Sequence, residues 1–428
     1  MVAAKTTVPR VNYSAPESMG SLPPEIEELK LLARDIVHRE CIPLEMKFLT
    51  HRPGDVVDPA DGPWVLTPTT RSECLVDGAL PQSDWDRLTK ISKDTGFWTA
   101  DLPEERGGLG FGVLGNFVVS EEFKRSIVPF PVPEVPAVLF NCTQEQREKY
   151  LEPVIAGDKL YAFGQTEPGA GSDPGGMSTR AVRSGDEWVI DGTKTFISRA
   201  DRADFILLLA LTDPDKRQHG GITMFIVDME TPGISVTPVH TWLSERPDTF
   251  TINFTDVRVR HENILGAEGG GFAFGQQWLA LSDRLTRGAM ATAFLTRGLE
   301  MAVDWAKNRV TFGQALSERQ AIQRLLVEVL LDIKSVRAIA YECAYRADRG
   351  EDVRAYAAAA KFVGGNWGHR SMDNIMQVLG GMGEVTETPI PHWYRQLRHG
   401  RIGGGTDEIQ RMLISRAIFK QGVSLWEA

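Results

Sequence analysis

Two stretches of the chain combine residue types and spacings that suit chemistry. Gly164–Gly176 reads GQTEPGAGSDPGG. Gly169, Gly171, Gly175 and Gly176 let backbone N–H groups approach a ligand closely. Thr166, Ser172 and the amides themselves offer donors for a phosphate or for the polar edge of a flavin. A glycine-rich loop of this composition alone is most often a surface turn, so it is the order of its residues that is informative. The second stretch, LALSDRLTRG, sets the Asp283 carboxylate beside the Arg284 guanidinium. An Asp-Arg dipeptide on a helix is commonly a surface ion pair. His240, His261, His369, His392 and His399 form no metal-spaced pair. Cys41, Cys74, Cys142 and Cys343 make no CxxC motif, so no metal centre is expected and the thiols read as packing residues in a reducing, cytoplasmic setting. Trp242 and Trp393 suit packing, and Arg395 and Arg398 in WYRQLRHGR suit a solvated face.

These residues must be positioned by more than one core, since 428 residues suit two or three packed domains. The net charge of −10 argues against nucleic acid as a partner. No apolar run reaches the roughly 18 residues of a membrane span. Met1–Arg10 is polar and does not read as a secretory signal. Residues 1–160 read as mainly helical, with Ile26, Leu29, Leu32, Ile36 and Val37 near the helical period and a Pro/Gly-rich extended loop over 51–81. Residues 161–270 read as strands. Trp188–Ile190, Asp191-Gly192 and Thr193–Ile197 predict a hairpin turning at Asp-Gly. Residues 271–428 return to helix, and Ile322, Leu325, Leu326, Val329, Leu330, Ile333 and Val336 define one broad apolar face, as in a bundle. The order helix, strand, helix predicts an α+β multi-domain chain with a β-domain between helical parts.

The string TEPGAGSD resembles the first signature of the acyl-CoA dehydrogenases nearly residue for residue, with Gln165 where relatives usually carry an aliphatic residue. The resemblance stays in register through DGTKTFIS (Asp191–Ser198), FTDVRV (Phe254–Val259), LGAEGGGF (Leu265–Phe272), NRVTFGQ (Asn308–Gln314), QVLGGMG (Gln377–Gly383) and GGGTDEIQR (Gly403–Arg411). It implies an N-terminal helical domain, a middle β-barrel-like domain and a C-terminal four-helix bundle. It also implies FAD shared across the interface of a homodimer or homotetramer. By the same resemblance Phe163, Gln165, Thr166, Gly171 and Ser172 hold the flavin, Phe196 lies against the isoalloxazine, and Ser198 bonds near N5. Arg309 meets the pyrophosphate with Phe312 close by, and Gln320 contacts the adenine half. Gln377, Gly381, Thr406 and Glu408 match further FAD contacts. The N-terminal third is the least family-like part: 51–81 is longer than the usual connection, and Ile127–Cys142 lacks the expected glycine-rich helical run.

The family reaction takes a proton from Cα and a hydride from Cβ of an acyl-CoA, so the thioester carbonyl must be polarised and a carboxylate must face Cα. In many relatives the base is a glutamate directly before Gly405-Thr406. Here that residue is Gly404, which keeps only a backbone N–H to polarise the carbonyl. One branch, including isovaleryl- and long-chain enzymes, moves the base to an early helix of the C-terminal bundle, as a Glu preceding an Arg. The matching pair here is Asp283-Arg284, which makes Asp283 the expected base and Arg284 the group that orders it. Aspartate reaches about 1.5 Å less than glutamate, so the helix must lie closer or Cα must lie nearer, as a branched or cyclic acyl group would allow. The expected function is FAD-dependent oxidation of a CH–CH group to a 2-enoyl-CoA, with electrons passing to an electron-transfer flavoprotein. The alternatives are a flavin monooxygenase or a non-oxidative eliminating enzyme on the same fold, or a non-catalytic flavoprotein binding module.

Overall fold

Helix α1 (Pro24–Ile36) forms because Ile26, Leu29, Ala33 and Ile36 recur at helical spacing and are buried, with proline at its first position, where a missing N–H costs nothing. The structure, a computed structural model, describes residues 22–423 apart from 53, 56, 57, 59–61, 63, 66–77, 101 and 245. Cys74 and much of the expected 51–81 loop lie outside the described residues. In the described part of that loop, Trp64–Val65 pairs with Leu80–Pro81, and the His51 ring stacks on Trp64 with centroids 4.1 Å apart.

Two compact units are present. Among the described residues, the first joins those up to Val132 with Ala280 onward. It holds α1, α2 (Gln82–Asp94) and α3 (Gly112–Phe123), together with α4 (Thr286–Asn308), α5 (Gln320–Asp348), α6 (Arg354–Leu379), α7 (Ile390–His399) and α8 (Asp407–Gln421). Helix α6 is central and packs on α4, α5, α7 and α8. Its glycines permit this. A Cβ at Gly364 would stand 3.0 Å from the Arg287 carbonyl oxygen, and one at Gly365 would stand 2.9 Å from that of Gly400. On α5 the apolar face is only partly covered: Val329, Ile333 and Val336 are buried, whereas Leu330, placed on the same face by periodicity, is exposed along with Val327 and Leu331. Among the described residues no helix is long and apolar enough to cross a membrane.

The second unit comprises Pro133–Leu279. Its sheet has seven strands: β1 (Tyr161–Gly164), β2 (Arg180–Ser184), β3 (Glu187–Ser198), β4 (Phe205–Leu211), β5 (Ile222–Asp228), β6 (Ile234–Val239) and β7 (Thr249–Arg260). The order is β1-β4-β2-β3-β7-β6, with β5 on β4 and only the β1–β4 and β2–β4 pairings parallel. Val138, Leu139, Tyr150, Leu151 and Val154 pack against β4 and β5, so the stretch before residue 161 belongs to the core of this sheet.

The hairpin expected at Asp191-Gly192 is corrected by the structure. Strand β3 runs unbroken from Glu187 to Ser198, and the turn lies earlier, at Gly185-Asp186 between Ser184 and Glu187. Asp-Gly instead faces a bulge on β7. The Asp191 carboxylate accepts the Asp256 N–H at 3.0 Å, and Asp256 takes φ 50°. Gly192 is required by close packing, since a Cβ there would stand 2.5 Å from Thr179 Oγ1.

In the helical unit the Trp393 indole is fully buried and stacks on Phe294 with centroids 5.0 Å apart. Trp393→Ala is expected to lower the unfolding free energy by about 3–5 kcal/mol, measured as the shift of the urea midpoint at unchanged slope.

Candidate active site

The segment Leu279–Leu285, directly before α4, is a π-helical turn. Such a turn inserts an extra residue into the helical period and re-aims the side chains that follow, a device common at functional sites. It sends Asp283 to the turn between α7 and α8. Gly404 there has φ 69° and Gly405 φ 95°, backbone that glycine adopts freely. A Cβ built on Gly404 would lie 1.6 Å from Asp283 Oδ2. The Asp283 carboxylate therefore fills the place where a side chain at 404 would begin.

Arg287 Nη2 donates to Asp283 Oδ1 at 2.9 Å, one helical turn on. Asp283 Oδ2 is buried with no hydrogen-bond partner among the described residues. Arg284 turns instead to the turn's backbone, with Nε 3.5 Å from the Gly404 carbonyl oxygen. Gln410 Nε2 donates to the Gly404 and Gly405 carbonyls at 3.3 and 2.8 Å, and the Lys361 ammonium donates to the Gly405 carbonyl. Both carbonyls are thus pinned, while among the described residues no acceptor takes the Gly404 N–H. Asp407, at the start of α8, accepts from Arg401 Nε at 2.9 Å and Asn366 Nδ2 at 3.0 Å. Burial, helped by Arg287, pushes the Lys361 ammonium down to about 8. Burial, with Arg287 and Lys361, pushes the His399 imidazole down to about 3.

Of the remaining expected site residues, one group lies on the sheet unit. Thr166 accepts the Thr195 N–H through its carbonyl at 2.9 Å, which ties the glycine loop to β3. Phe163 and Gln165 both face Gly275. Gln165 Oε1 is buried without a partner among the described residues. Gly171 and Ser172 are exposed, and Ser198 is half-buried. Phe196 occupies a bulge in β3 at φ 56° with 62% of its surface exposed. A second group lies on the helical unit. Val310–Thr311 and Gln314–Ala315 form a hairpin whose tip, Phe312-Gly313, takes φ 51° and 74°. Phe312 is fully exposed. Arg309 lies over the Trp305 ring, and Gln320 opens α5. Gln377 and Gly381 are exposed around the end of α6, Thr406 caps α8 by accepting the Ile409 N–H, and Glu408 is exposed in its first turn. None of Arg309, Phe312, Gln320 or Gln377 hydrogen-bonds to the Gly404 turn among the described residues.

These features fit FAD. A partnerless buried amide oxygen, an exposed aromatic on a strained bulge and an open glycine loop are what a flavin ring with polar edges and flat faces requires. Among the described residues no cluster of His, Cys, Asp or Glu suits a metal.

Sequence reasoning passed over several residues that build the site. Lys194 and Glu167 form a fully buried pair at 2.8 Å, and Glu167 also accepts the N–H groups of Ser178 and Thr179. Burial acts to raise the Glu167 carboxyl, but Lys194 and these donors outweigh it and hold it at about 2. Strand parity with Trp188 and Ile190 already placed Lys194 on the inner face. Arg287 was signalled by its i+4 spacing from Asp283. Lys361, His399 and Gln410 carried no local signal.

Comparison with known proteins identifies the family. The family models described as acyl-CoA dehydrogenase N-terminal, middle and C-terminal domains match residues 73–158, 162–257 and 269–419. The (R)-benzylsuccinyl-CoA dehydrogenase of Thauera aromatica is 32% identical over 415 residues, covering 94% of this chain and 97% of that protein. The caffeyl-CoA reductase-Etf complex subunit CarC of Acetobacterium woodii is 33% identical over 364 residues, covering 83% of this chain and 94% of that protein. The butyryl-CoA dehydrogenase structure from Megasphaera elsdenii superposes with TM-score 0.76 at 27% identity, covering 93% of this chain and 99% of the other.

The neutral His399 has a consequence for stability. Its folded value of about 3 lies below its ordinary 6.5, so below pH 6.5 the unfolded chain takes up a proton that the folded chain refuses. Stability must fall as pH drops from about 6.5 towards 3. Urea unfolding at pH 7 and pH 5 should show this group costing roughly 1–2 kcal/mol at the lower pH, a loss that His399→Gln removes.

Proposed function

Since the chain belongs to the acyl-CoA dehydrogenase family and shares its fold, we propose that it oxidises an acyl-CoA thioester to the 2-enoyl-CoA with Asp283 as the base that takes the Cα proton. As a family member it is an oxidoreductase acting on a CH–CH group. The observation that carries the reading is the carboxylate of Asp283 standing where a side chain at 404 would start, with one oxygen held and the other free.

Each part of the turn has a role in this reading. Arg287 fixes the Asp283 carboxylate through Oδ1 and leaves Oδ2 a lone pair for the proton. The Gly404 N–H, without an internal acceptor, is available to the thioester carbonyl and would acidify Cα by stabilising the developing enolate charge. Gln410, Lys361 and Arg284 hold the carbonyls of the turn, so the peptide carrying that N–H does not rotate away. FAD, when bound, supplies the hydride acceptor at N5. Phe163, Gln165, Thr166, Gly171, Ser172, Phe196 and Ser198 would hold its flavin. Arg309, Phe312, Gln320, Gln377, Gly381, Thr406 and Glu408 would hold FAD contributed across a subunit interface. A second copy of the chain would also cover the exposed Val327, Leu330 and Leu331 of α5. The Etf complex in the name of the Acetobacterium woodii relative supports an electron-transfer flavoprotein as the electron acceptor.

The test is anaerobic mixing of the oxidised flavoprotein with a panel of straight, branched and alicyclic acyl-CoAs, following flavin bleaching and product mass. Asp283→Asn still offers an oxygen to Arg287 but cannot take the proton. It should slow bleaching by about 10²–10⁴-fold, and wild-type bleaching in this variant would exclude Asp283 as base. Oxygen consumption without enoyl product would favour a monooxygenase. Gly404→Ala should also slow bleaching, because its methyl displaces the Asp283 carboxylate. Unchanged kinetics in that variant would mean that the carboxylate position is irrelevant to turnover.

A further inference from the structure

Strand β3 ends in backbone that a residue with a side chain does not favour. Phe196 takes φ 56° and Arg199 φ 59°, so left-handed residues flank Ile197 and Ser198. Such backbone is costly outside glycine and persists only where its surroundings enforce it. At Arg199 the enforcement is explicit. Its N–H donates to the Asp248 carbonyl at 3.1 Å, and its own carbonyl accepts the N–H groups of Arg202 and Ala203 at 3.1 and 3.0 Å. Its guanidinium is buried, lies over the Tyr161 ring, and donates from Nη2 to Glu134 Oε2 at 2.8 Å. Glu134 is held in turn, because its Oε1 accepts from Tyr161 Oη at 2.9 Å. The chain beyond the turn is also anchored. The Leu160 N–H donates to the Asp204 carboxylate at 2.7 Å, and the Asp204 N–H to the Leu160 carbonyl at 2.9 Å.

With the chain fixed behind it, rotation about the Arg199 N–Cα bond would swing the Ser198 end of β3. A glycine at 199 would make the same turn without strain. What the arginine adds is a side chain that ties this turn to Glu134, on the segment before β1, and to Tyr161 at the start of β1. From these contacts, and resting on the reading in which Phe196 and Ser198 hold the flavin, we propose that Glu134 and Arg199 are positioning residues of the cofactor site. Their ion pair holds Arg199 in left-handed backbone and so keeps the Phe196–Ser198 end of β3 set for FAD before FAD binds. Both act through the backbone rather than by contact with the flavin. A charge-assisted hydrogen bond is roughly twice as strong as a neutral one, which suits it to offset local strain. Without the pair the turn relaxes in a fraction of the molecules, and the apparent affinity for FAD falls with the fraction still set.

The experiment titrates FAD into the full-length chain stripped of flavin and takes Kd from the quenching of flavin fluorescence. The variants are Arg199→Ala, Arg199→Gly, Glu134→Gln and Ser198→Ala. Alanine at 199 has neither the ion pair nor freedom in left-handed backbone, whereas glycine has that freedom and needs no pair. Kd should rise about tenfold in Arg199→Ala and in Glu134→Gln. In Arg199→Gly it should stay within about threefold of the wild type. Adding Glu134→Gln to Arg199→Gly should then change Kd less than about twofold, because no strain remains for the pair to hold. Equal Kd values in Arg199→Gly and Arg199→Ala overturn the proposal. An unchanged Kd in Glu134→Gln also overturns it, and this variant decides the matter if Arg199→Ala does not fold. If Ser198→Ala weakens FAD binding while the alanine and glycine variants at 199 agree, the flavin reading stands and the role of the pair falls. If those two variants separate while Ser198→Ala binds FAD as the wild type does, the pair keeps its role and the contact assigned to Ser198 falls. A wild-type chain that binds no FAD overturns both.

Discussion

A carboxylate at Asp283 and a side chain at residue 404 cannot occupy the same space. With 1.6 Å between Oδ2 and the Cβ that any other residue at 404 would bring, the two positions are coupled sterically. Glycine at 404 is therefore a condition for Asp283 to stand where it does, as well as the removal of a potential acid or base. The surrounding architecture serves that juxtaposition. The π-helical turn re-aims Asp283, Arg287 holds one of its oxygens, and α6 contributes Lys361 beneath the turn. The glycines of α6 let the backbones of α4 and of the Gly400 turn come close enough for these groups to meet.

Much of the frame was legible in the sequence because it is periodic or carried by long ordered motifs. The apolar spacing in α1 and α5 and the alternation in the strands follow from one-dimensional pattern. What failed was context. Asp191-Gly192 has the composition of a tight turn, but a bulge on the neighbouring strand and the crowding by Thr179 made it a mid-strand feature. Leu330 has the right phase for the buried face of α5, yet nothing within the described chain covers it. Periodicity reports which residues share a face, not what lies opposite.

The site shows the same division. Asp283 and Gly404 were conspicuous as a departure from a motif, but the partner of Asp283 was misjudged by adjacency. Arg287, one helical turn on, donates to the carboxylate, while Arg284 hydrogen-bonds the Gly404 carbonyl. On the sheet unit, Glu167 sits inside the most recognisable motif, and its carboxylate is spent on Lys194, Ser178 and Thr179. Its role is to fix the loop, so that neighbouring residues are free to face a ligand. Motif membership alone does not separate residues that touch a ligand from residues that shape the loop.

Backbone strain singles out two exposed aromatics. Phe196 and Phe312 both hold left-handed backbone, which costs a bulky residue on the order of 1–3 kcal/mol. Each also leaves its ring exposed, Phe312 completely. An isolated chain gains neither burial nor conformational relief from such an arrangement, so the fold alone gives no reason for it. A flat ring system stacked on Phe196, or a second copy of the chain covering Phe312, would offset the cost in each case. In that view the two strained aromatics are contacts whose stabilising half is supplied from outside the chain.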